Sequence, residues 1–154
     1  MVQLNFDPYP FRFKSKENKT LVFDEIRKKF VALTPEEWVR QHVAWFLFTH
    51  KKYPKSHINV EKKLQLNQTV KRYDVVIFNK SGNIHLIVEC KAPHIPISQN
   101  VFDQIARYNL SLNADYLMVT NGLAHYYCRM DFKAERYVFL KDIPEYGETL
   151  NKGD

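Results

Sequence analysis

Charged residues inside two apolar runs constrain the fold of this chain more than any other feature. Within residues 72–91, the segments 75–78 and 84–88 read as two strands, and 80–83 supplies a short polar turn between them. Burying an ion is costly unless it is paired or bound to a metal, so the charged members of the two strands require an explanation. These residues are Asp74, Glu89 and Lys91.

Strand geometry is expected to bring these three side chains together. Side chains alternate along a strand, so Glu89 and Lys91 share one face. With a four-residue loop, Asn79 pairs with Ile84 and Asp74 falls directly opposite Glu89. A one-residue bulge would reverse the face, so the register is an expectation that depends on the turn.

A divalent cation between Asp74 and Glu89 would explain two carboxylates held close together, and hard oxygen ligands suit Mg²⁺. Lys91 beside them would orient a water or stabilise charge on a phosphate, which predicts metal-assisted phosphodiester hydrolysis. Two other interpretations stay open. In the first, the three charges form a structural ion-pair network. In the second, the strands are half-exposed and the charges lie in water.

Length and composition indicate a single domain over residues 1–154, with its core at about 30–130 and an accessory segment at 1–30. Four glycines and no Gly-x-x-x-x-Gly-Lys exclude a phosphate-loop motor. Two cysteines fit neither a disulfide framework nor a zinc motif. The sequence shows no signal core or membrane span, so we expect reduced thiols in a cytoplasmic protein that has no membrane partner.

The formal net charge of +6 favours a polyanionic partner. Much of the positive charge is concentrated in residues 51–72, which we call the basic run. Its cations are Lys51, Lys52, Lys55, Lys62, Lys63, Lys71 and Arg72, against Glu61 alone. A solvated surface explains such a run as well as DNA binding does.

The strongest helix signal begins at Thr34, where Thr-Pro-Glu-Glu combines an N-cap, a proline at the first helical position and Glu37 three residues after the cap. The helix is expected to be largely buried and to run to about Lys51. Glu37 has two interpretations. Its carboxylate returns to the Thr34 backbone N–H in a capping box, or it leans over the metal site as a third acidic residue.

The remaining pattern predicts an α/β fold with a mixed central β-sheet flanked by helices. Further strands are expected at 20–23, 29–33, 58–66, 116–120, 123–129 and 136–140. Residues 12–19 read as a turn, and the tail from Pro144 reads as loosely ordered. Ser98 caps a second helix that ends near Leu112, with a core stripe of Val101, Ile105, Tyr108 and Leu112. This helix connects 84–91 to 116–120, so these two strands should be parallel.

Three motifs together resemble the PD-(D/E)xK nuclease superfamily and, within it, the N-terminal nuclease domain of type I restriction enzyme R (restriction) subunits. Asp74 followed by residues 89–91, Glu-Cys-Lys, resembles the Asp…Glu-x-Lys signature. Residues 34–41 look like the first-helix motif of one branch, and residues 104–108, Gln-Ile-Ala-Arg-Tyr, look like its Gln-x-x-x-Tyr motif. The resemblance covers roughly residues 30–125.

The resemblance implies a restriction-endonuclease-like core and a divalent-metal-dependent endonuclease that hydrolyses DNA. Asp74 and Glu89 would bind Mg²⁺ or Mn²⁺ with the backbone carbonyl of Cys90, while Lys91 would position the attacking water or steady transition-state charge. Glu37 would approach the metal from the first helix. The residues implied to support the site or touch the DNA backbone are Gln104 and Tyr108. A packing role also stays open for Tyr108, because it lies on the predicted core stripe.

Tyr73 stands where the superfamily name implies a proline, at a position that varies among members. The implied partners are DNA and helicase motor and modification subunits supplied by other chains, and a homodimer is also open. The chain ends before any motor, so it is a fragment, a stand-alone relative or a nuclease fold without its partners. The alternative function is a catalytically inactive nuclease-fold module that binds nucleic acid or partner subunits. An RNA-processing or junction-resolving nuclease would use the same chemistry.

Overall fold

Two sheets and two helices make up the computed structural model, which describes residues 1–148. A three-stranded antiparallel sheet precedes the first helix, and a six-stranded mixed sheet contains the charged strands. The elements in chain order are β1 (Phe13–Lys16), β2 (Lys19–Asp24), β3 (Lys29–Ala32), α1 (Pro35–Thr49), β4 (Ile58–Leu66), β5 (Thr69–Phe78), β6 (Ile84–Cys90), α2 (Gln99–Leu110), β7 (Tyr116–Thr120), β8 (His125–Asp131) and β9 (Arg136–Leu140).

The six-stranded sheet has the spatial order β4-β5-β6-β7-β8-β9. The pair β6–β7 is parallel and is joined through α2, whereas all other neighbours are antiparallel. This arrangement confirms the predicted mixed sheet and its strand-helix-strand crossover. Strand β8 begins two residues later than expected, because the Asn121 side chain accepts hydrogen bonds from the Leu123 and Ala124 N–H groups and lengthens the turn.

The register between β5 and β6 pairs Val75 with Val88, as predicted, although the turn is not the predicted one. Phe78 rather than Asn79 pairs with Ile84, so the loop has five residues. A β-bulge between Ile77 and Phe78 then shifts the ladder by one residue. The longer loop and the bulge offset each other, so the pairing near the charged residues is the expected one.

The two helices cover opposite faces of the large sheet. Apolar residues of α1 pack with the face that includes Val75, Ile77 and Val88, and those of α2 pack with the face that includes Val76 and Ile87. The contributing buried residues of α1 are Val39, Val43 and Leu47, and those of α2 are Phe102, Ile105 and Ala106. Strands β5 and β6 are therefore buried on both sides, which is why any charge in them needs a partner.

The accessory segment forms a sheet of its own, which corrects the prediction of a turn over residues 12–19. Strand β1 pairs with β2, and Glu17 and Asn18 make a two-residue turn with positive φ angles of 51° and 62°. Strand β1 is Phe-Lys-Ser-Lys and lies fully exposed. It has none of the apolar alternation by which a half-buried strand is recognised in a sequence.

The end of the described chain has no helix or strand after β9, but it is attached to the body of the fold. The Tyr146 N–H donates a 2.7 Å hydrogen bond to the Lys51 carbonyl, and Pro144 is buried. The rest of the tail that was predicted to be loosely ordered, residues 149–154, lies outside the described residues. Neither helix in residues 1–148 has the length and apolar character needed to cross a membrane.

Candidate functional site

The candidate site lies where the first half of α1 meets β5 and β6. The observed register ends at the pair Val75–Val88, and the next residues outward along the two strands are Asp74 and Glu89. Both carboxylates are at least nine-tenths buried, with 8% and 7% of their residue surfaces exposed. Two carboxylates in this position repel each other, so the groups that surround each of them decide what the site can do.

Asp74 is held by three N–H donors. Its Oδ1 accepts hydrogen bonds from the Arg40 Nε and Nη2 atoms at 3.1 Å and 2.8 Å. Its Oδ2 accepts the Cys90 backbone N–H at 2.8 Å. A buried carboxylate with a guanidinium and a main-chain donor is fully satisfied, and its orientation is fixed by two different elements.

Glu89 is the less satisfied of the two carboxylates. Its Oε1 is buried and has no hydrogen-bond partner, and the nearest recorded cation is the Lys71 Nζ at 3.6 Å. At that separation the ammonium acts through its charge without forming a hydrogen bond. Burial raises the pKa of Glu89 to about 7, with Lys71 opposing the shift, Asp74 adding to it and Lys91 opposing it more weakly.

Lys91 is half-buried, and its charge opposes the rise that burial causes in the pKa of both Glu89 and Glu36. Its backbone N–H donates to the Thr120 carbonyl at 2.8 Å, which continues the β6–β7 pairing past the end of β6. No ion pair of its ammonium is present within residues 1–148. The predicted trio thus lies in one neighbourhood, but the closest cations to the two carboxylates are Arg40 and Lys71.

The main chain of Cys90 belongs to the site, and its thiol does not. Burial raises the pKa of the Cys90 thiol well above its ordinary value, so the sulfur stays protonated at neutral pH. Cys90 and Cys128 are both free and buried. The role predicted for the Cys90 backbone carbonyl as a metal ligand stays a prediction.

Glu37 makes half of the expected capping box. Its backbone N–H donates to the Thr34 Oγ1 at 3.0 Å, which satisfies one free N–H of the helix. Its carboxylate does not return to Thr34. It accepts from the Arg27 Nη2 at 2.8 Å and the Gln41 Nε2 at 3.2 Å, and it pairs with the Arg40 Nη1 at 2.8 Å. Glu37 therefore belongs to a group of paired side chains, Arg27, Glu37, Arg40 and Asp74, which we call the charged cluster. It reaches Asp74 through Arg40.

Arg40 is the centre of this cluster. Besides Asp74 and Glu37, its guanidinium pairs with Glu61 at 2.8 Å and with Glu36 at 3.6 Å. Burial opposes its charge, but the carboxylates of Glu37 and Asp74 more than offset this and raise the pKa of Arg40. Arg40 is therefore a permanent cation that contacts Asp74, one of the two predicted metal ligands.

Sequence reasoning missed Arg40 and Lys71. A signal for Arg40 was present, because it follows Glu37 by three residues and precedes the buried Val43 by three, so it lies on the inward stripe of α1. A basic residue on a buried stripe needs an acidic partner. Lys71 gave no comparable signal, since it is one of seven cations in the basic run.

The Gln-x-x-x-Tyr residues lie on α2 at unequal depth. Tyr108 is half-buried, and the Lys71 Nζ lies 4.5 Å from its ring centroid and 4.7 Å from that of Tyr73. Tyr108 therefore touches the cation that faces Glu89. Gln104 is exposed. The predicted core stripe of α2 is rotated, because Ile105 is buried together with Phe102, Ala106 and Asn109, and Tyr108 lies at its edge.

The donor set fits a hard divalent ion at Asp74 and Glu89. No group of three or more His, Cys, Asp or Glu side chains within the described part of the chain is arranged to hold a metal. Mg²⁺ needs fewer protein ligands, because it keeps several waters and is usually bound through one or two carboxylates. The buried Glu89 Oε1 without a hydrogen-bond partner is the oxygen best placed to accept one. A cation at Asp74 would compete with the Arg40 guanidinium, and the Mg²⁺ assignment stays a prediction.

A groove lies away from the charged cluster. It has a volume of about 760 Å³ and lies at the turn end of β5 and β6, where Tyr53, His57 and His85 are among the lining residues. None of the residues of the charged cluster lines it.

Comparison with known proteins identifies one match. A family model described as type I restriction enzyme R protein N terminus (HSDR_N) matches residues 35–144, which are 110 of the 154 residues. The matched range begins at the first residue of α1 and includes the candidate site and all of the six-stranded sheet. No curated protein matches the chain.

Replacing Arg40 by Met is expected to lower the free energy of unfolding by about 3–5 kcal/mol, because Asp74 and Glu37 would stay buried without their shared cation. Urea unfolding followed by circular dichroism measures this loss. Arg72→Met is the matched control. Arg72 also pairs with Glu61, at 3.2 Å, but its side chain is 54% exposed, so its loss should stay below about 1 kcal/mol. Equal losses for the two variants would contradict the central role of Arg40.

Relative to the wild type, Glu89→Gln should be more stabilising at about pH 8 than at about pH 5. The pKa of Glu89 is raised from 4.5 to about 7 in the folded state, so the folded state holds the proton in this window and stability falls as pH rises through it. The variant removes this loss, which amounts to about 2–3 kcal/mol.

Urea titrations at both pH values test this prediction for Glu89. The exposed turn residue Glu135 provides the control variant Glu135→Gln, for which no difference between the two pH values is expected. A pH-independent effect of Glu89→Gln would show that the carboxylate ionises normally in the fold.

Proposed function

Because the chain belongs to the family of type I restriction enzyme R protein N-terminal domains, we propose that it is a divalent-metal-dependent endonuclease that hydrolyses DNA phosphodiester bonds in a restriction system. The observation that carries this proposal is the burial of two carboxylates, Asp74 and Glu89, beside the last observed pair of β5 and β6, Val75–Val88. Glu89 presents a buried oxygen without a hydrogen-bond partner. A bound cation would satisfy this oxygen.

Asp74 and Glu89 would hold Mg²⁺ or Mn²⁺ together with the Cys90 carbonyl. A bound divalent ion would supply Lewis acidity toward a phosphate oxygen and a more acidic water. Lys91, whose charge already acts on Glu89, would orient the attacking water or steady negative charge on the phosphate.

In this proposal Glu37 and Tyr108 act through other side chains of the site. Glu37 pairs with Arg40 and so positions the guanidinium that fixes Asp74. Tyr108 contacts the Lys71 ammonium that faces Glu89. Gln104 is exposed one turn earlier on α2, where it would contact the DNA backbone.

The partners in this proposal are DNA and the subunits of a multi-subunit restriction complex. The part of the chain that the structure describes contains no helix-turn-helix and no phosphate-loop motor. In this proposal, modification and helicase motor components of the complex supply sequence recognition and translocation along DNA.

A second candidate function is favoured by the contacts of Asp74. Both of its oxygens already accept hydrogen bonds, from Arg40 and from the Cys90 N–H. If Arg40 keeps this position in the presence of divalent ions, the fold is a catalytically inactive module that binds nucleic acid or partner subunits. It would then bind DNA without cutting it, and Asp74 variants would bind as well as the wild type.

Nicking of supercoiled plasmid DNA in Mg²⁺ or Mn²⁺ distinguishes the two functions. Asp74→Asn, Glu89→Gln and Lys91→Met should each lower the nicking rate by more than about 100-fold, since loss of an outer-shell partner alone costs about 10–100-fold. Asp103→Asn is the control, because Asp103 is an exposed carboxylate on α2 that pairs only with Gln99. Wild-type rates in all three site variants would refute the nuclease site, and DNA binding without cleavage by the wild type would support the inactive module.

A further inference from the structure

The outer face of the accessory sheet carries a row of cations. The register pairs Lys14 with Leu21 and Lys16 with Lys19, and the opposite face of β2 buries Val22. The four exposed cations on the outer face, which we call the basic face, are Arg12, Lys14, Lys16 and Lys19. Three of them lie at alternate positions along one extended segment, so they are spaced about 6.8 Å apart.

The charge of the basic face is not neutralised within the molecule. None of its four cations forms an ion pair with a carboxylate among residues 1–148. The basic run differs, because five of its seven cations are paired. These pairs are Lys51 with Asp142, Lys52 with Glu145, Lys55 with Glu25, Lys71 with Glu89 and Arg72 with Glu61. The basic face is therefore a row of cations that no carboxylate of residues 1–148 neutralises.

Two of the cations are held in place over aromatic rings. The Arg12 guanidinium lies 3.9 Å from the ring centroid of Phe23, and the Lys14 Nζ lies 4.7 Å from that of Phe30. Cations held this way lose less freedom on binding an anion. Because the cations cover these ring faces, bases cannot stack on them as they do in proteins that bind single strands. The face is thus suited to phosphates and not to bases.

The accessory sheet is fastened to the candidate site. Asp24, at the end of β2, is 1% exposed and accepts hydrogen bonds from the Arg27 Nε at 2.7 Å and the Gln41 Nε2 at 2.9 Å. The Arg27 Nη2 also bonds to Glu37 at 2.8 Å, and Glu37 pairs with Arg40. The position of the basic face relative to α1 is therefore fixed by buried polar contacts.

From these observations we propose that the basic face binds the phosphate backbone of duplex DNA without reading its sequence. It lies outside the range 35–144 that the family model matches. The choice of DNA as the polyanion rests on the proposed function. The observation that this row of cations is unpaired and held in position does not depend on the proposed function.

The test compares two quadruple variants of equal charge. One removes the basic face by Arg12→Gln, Lys14→Gln, Lys16→Gln and Lys19→Gln. The matched control is Lys80→Gln, Lys133→Gln, Arg136→Gln and Lys141→Gln, which removes one Arg and three Lys from exposed positions of the other sheet. Each variant lowers the formal net charge from +6 to +2, so a difference between them reports position and not total charge.

Binding is measured by fluorescence anisotropy on a labelled duplex of about 20 base pairs in EDTA, which excludes cleavage. Each phosphate contact contributes about 0.9 to the slope of log affinity against log salt. Loss of four contacts should reduce the slope by about 3–4, so that between about 50 and 200 mM salt the wild type loses about 100-fold more affinity than the variant. The control variant should keep most of the wild-type slope. Thermal melting confirms that both variants are folded.

Equal slopes and equal affinities for the two quadruple variants would overturn the proposal, as would a wild type that does not bind the duplex at low salt. Binding to phosphatidylserine vesicles in place of DNA would also overturn it. Failure of the proposed nuclease function gives a different result. Nicking that survives Asp74→Asn would remove the candidate site and leave the binding difference between the quadruple variants unchanged.

Discussion

A carboxylate buried in the middle of a sheet is the constraint on which the rest of this structure depends. Asp74 is only 8% exposed, so its charge must be met largely by protein groups. The Arg40 guanidinium meets it from α1, and the Cys90 N–H meets it from the neighbouring strand. Because Arg40 also pairs with Glu37 and Glu61, the position of the helix on the sheet is fixed by charge as well as by apolar packing.

The elements were predictable where local chemistry decides them. Thr34 and Ser98 mark the starts of the two helices, and both side chains accept the expected capping hydrogen bond. Strand β1 could not be predicted, because its pairing depends on turn residues with positive φ angles and on hardly any apolar burial. The register beside Asp74 was predicted correctly through a loop that is one residue longer and a bulge that compensates for it.

The site was predictable in location but not in its pairing. Alternation along a strand is enough to place Asp74 and Glu89 on adjoining strands. Which cation meets which carboxylate depends on contacts between residues that are distant in sequence, such as Arg40 and Asp74, which are 34 positions apart. The same limit applies to charge in general. The densest basic run in the sequence is largely paired within the fold, so a linear count of lysines does not indicate where the surface field is strongest.

The contact between residue 90 and Asp74 has an evolutionary consequence. The donor is a main-chain N–H, so every amino acid except proline supplies it equally well. What limits this position is the space in the apolar core, where Cys90 is 2% exposed among Val88, Tyr116 and Met118. Substitutions there are filtered by volume and polarity, and a lineage can exchange this residue for another of similar size without disturbing the acidic neighbour that it orients.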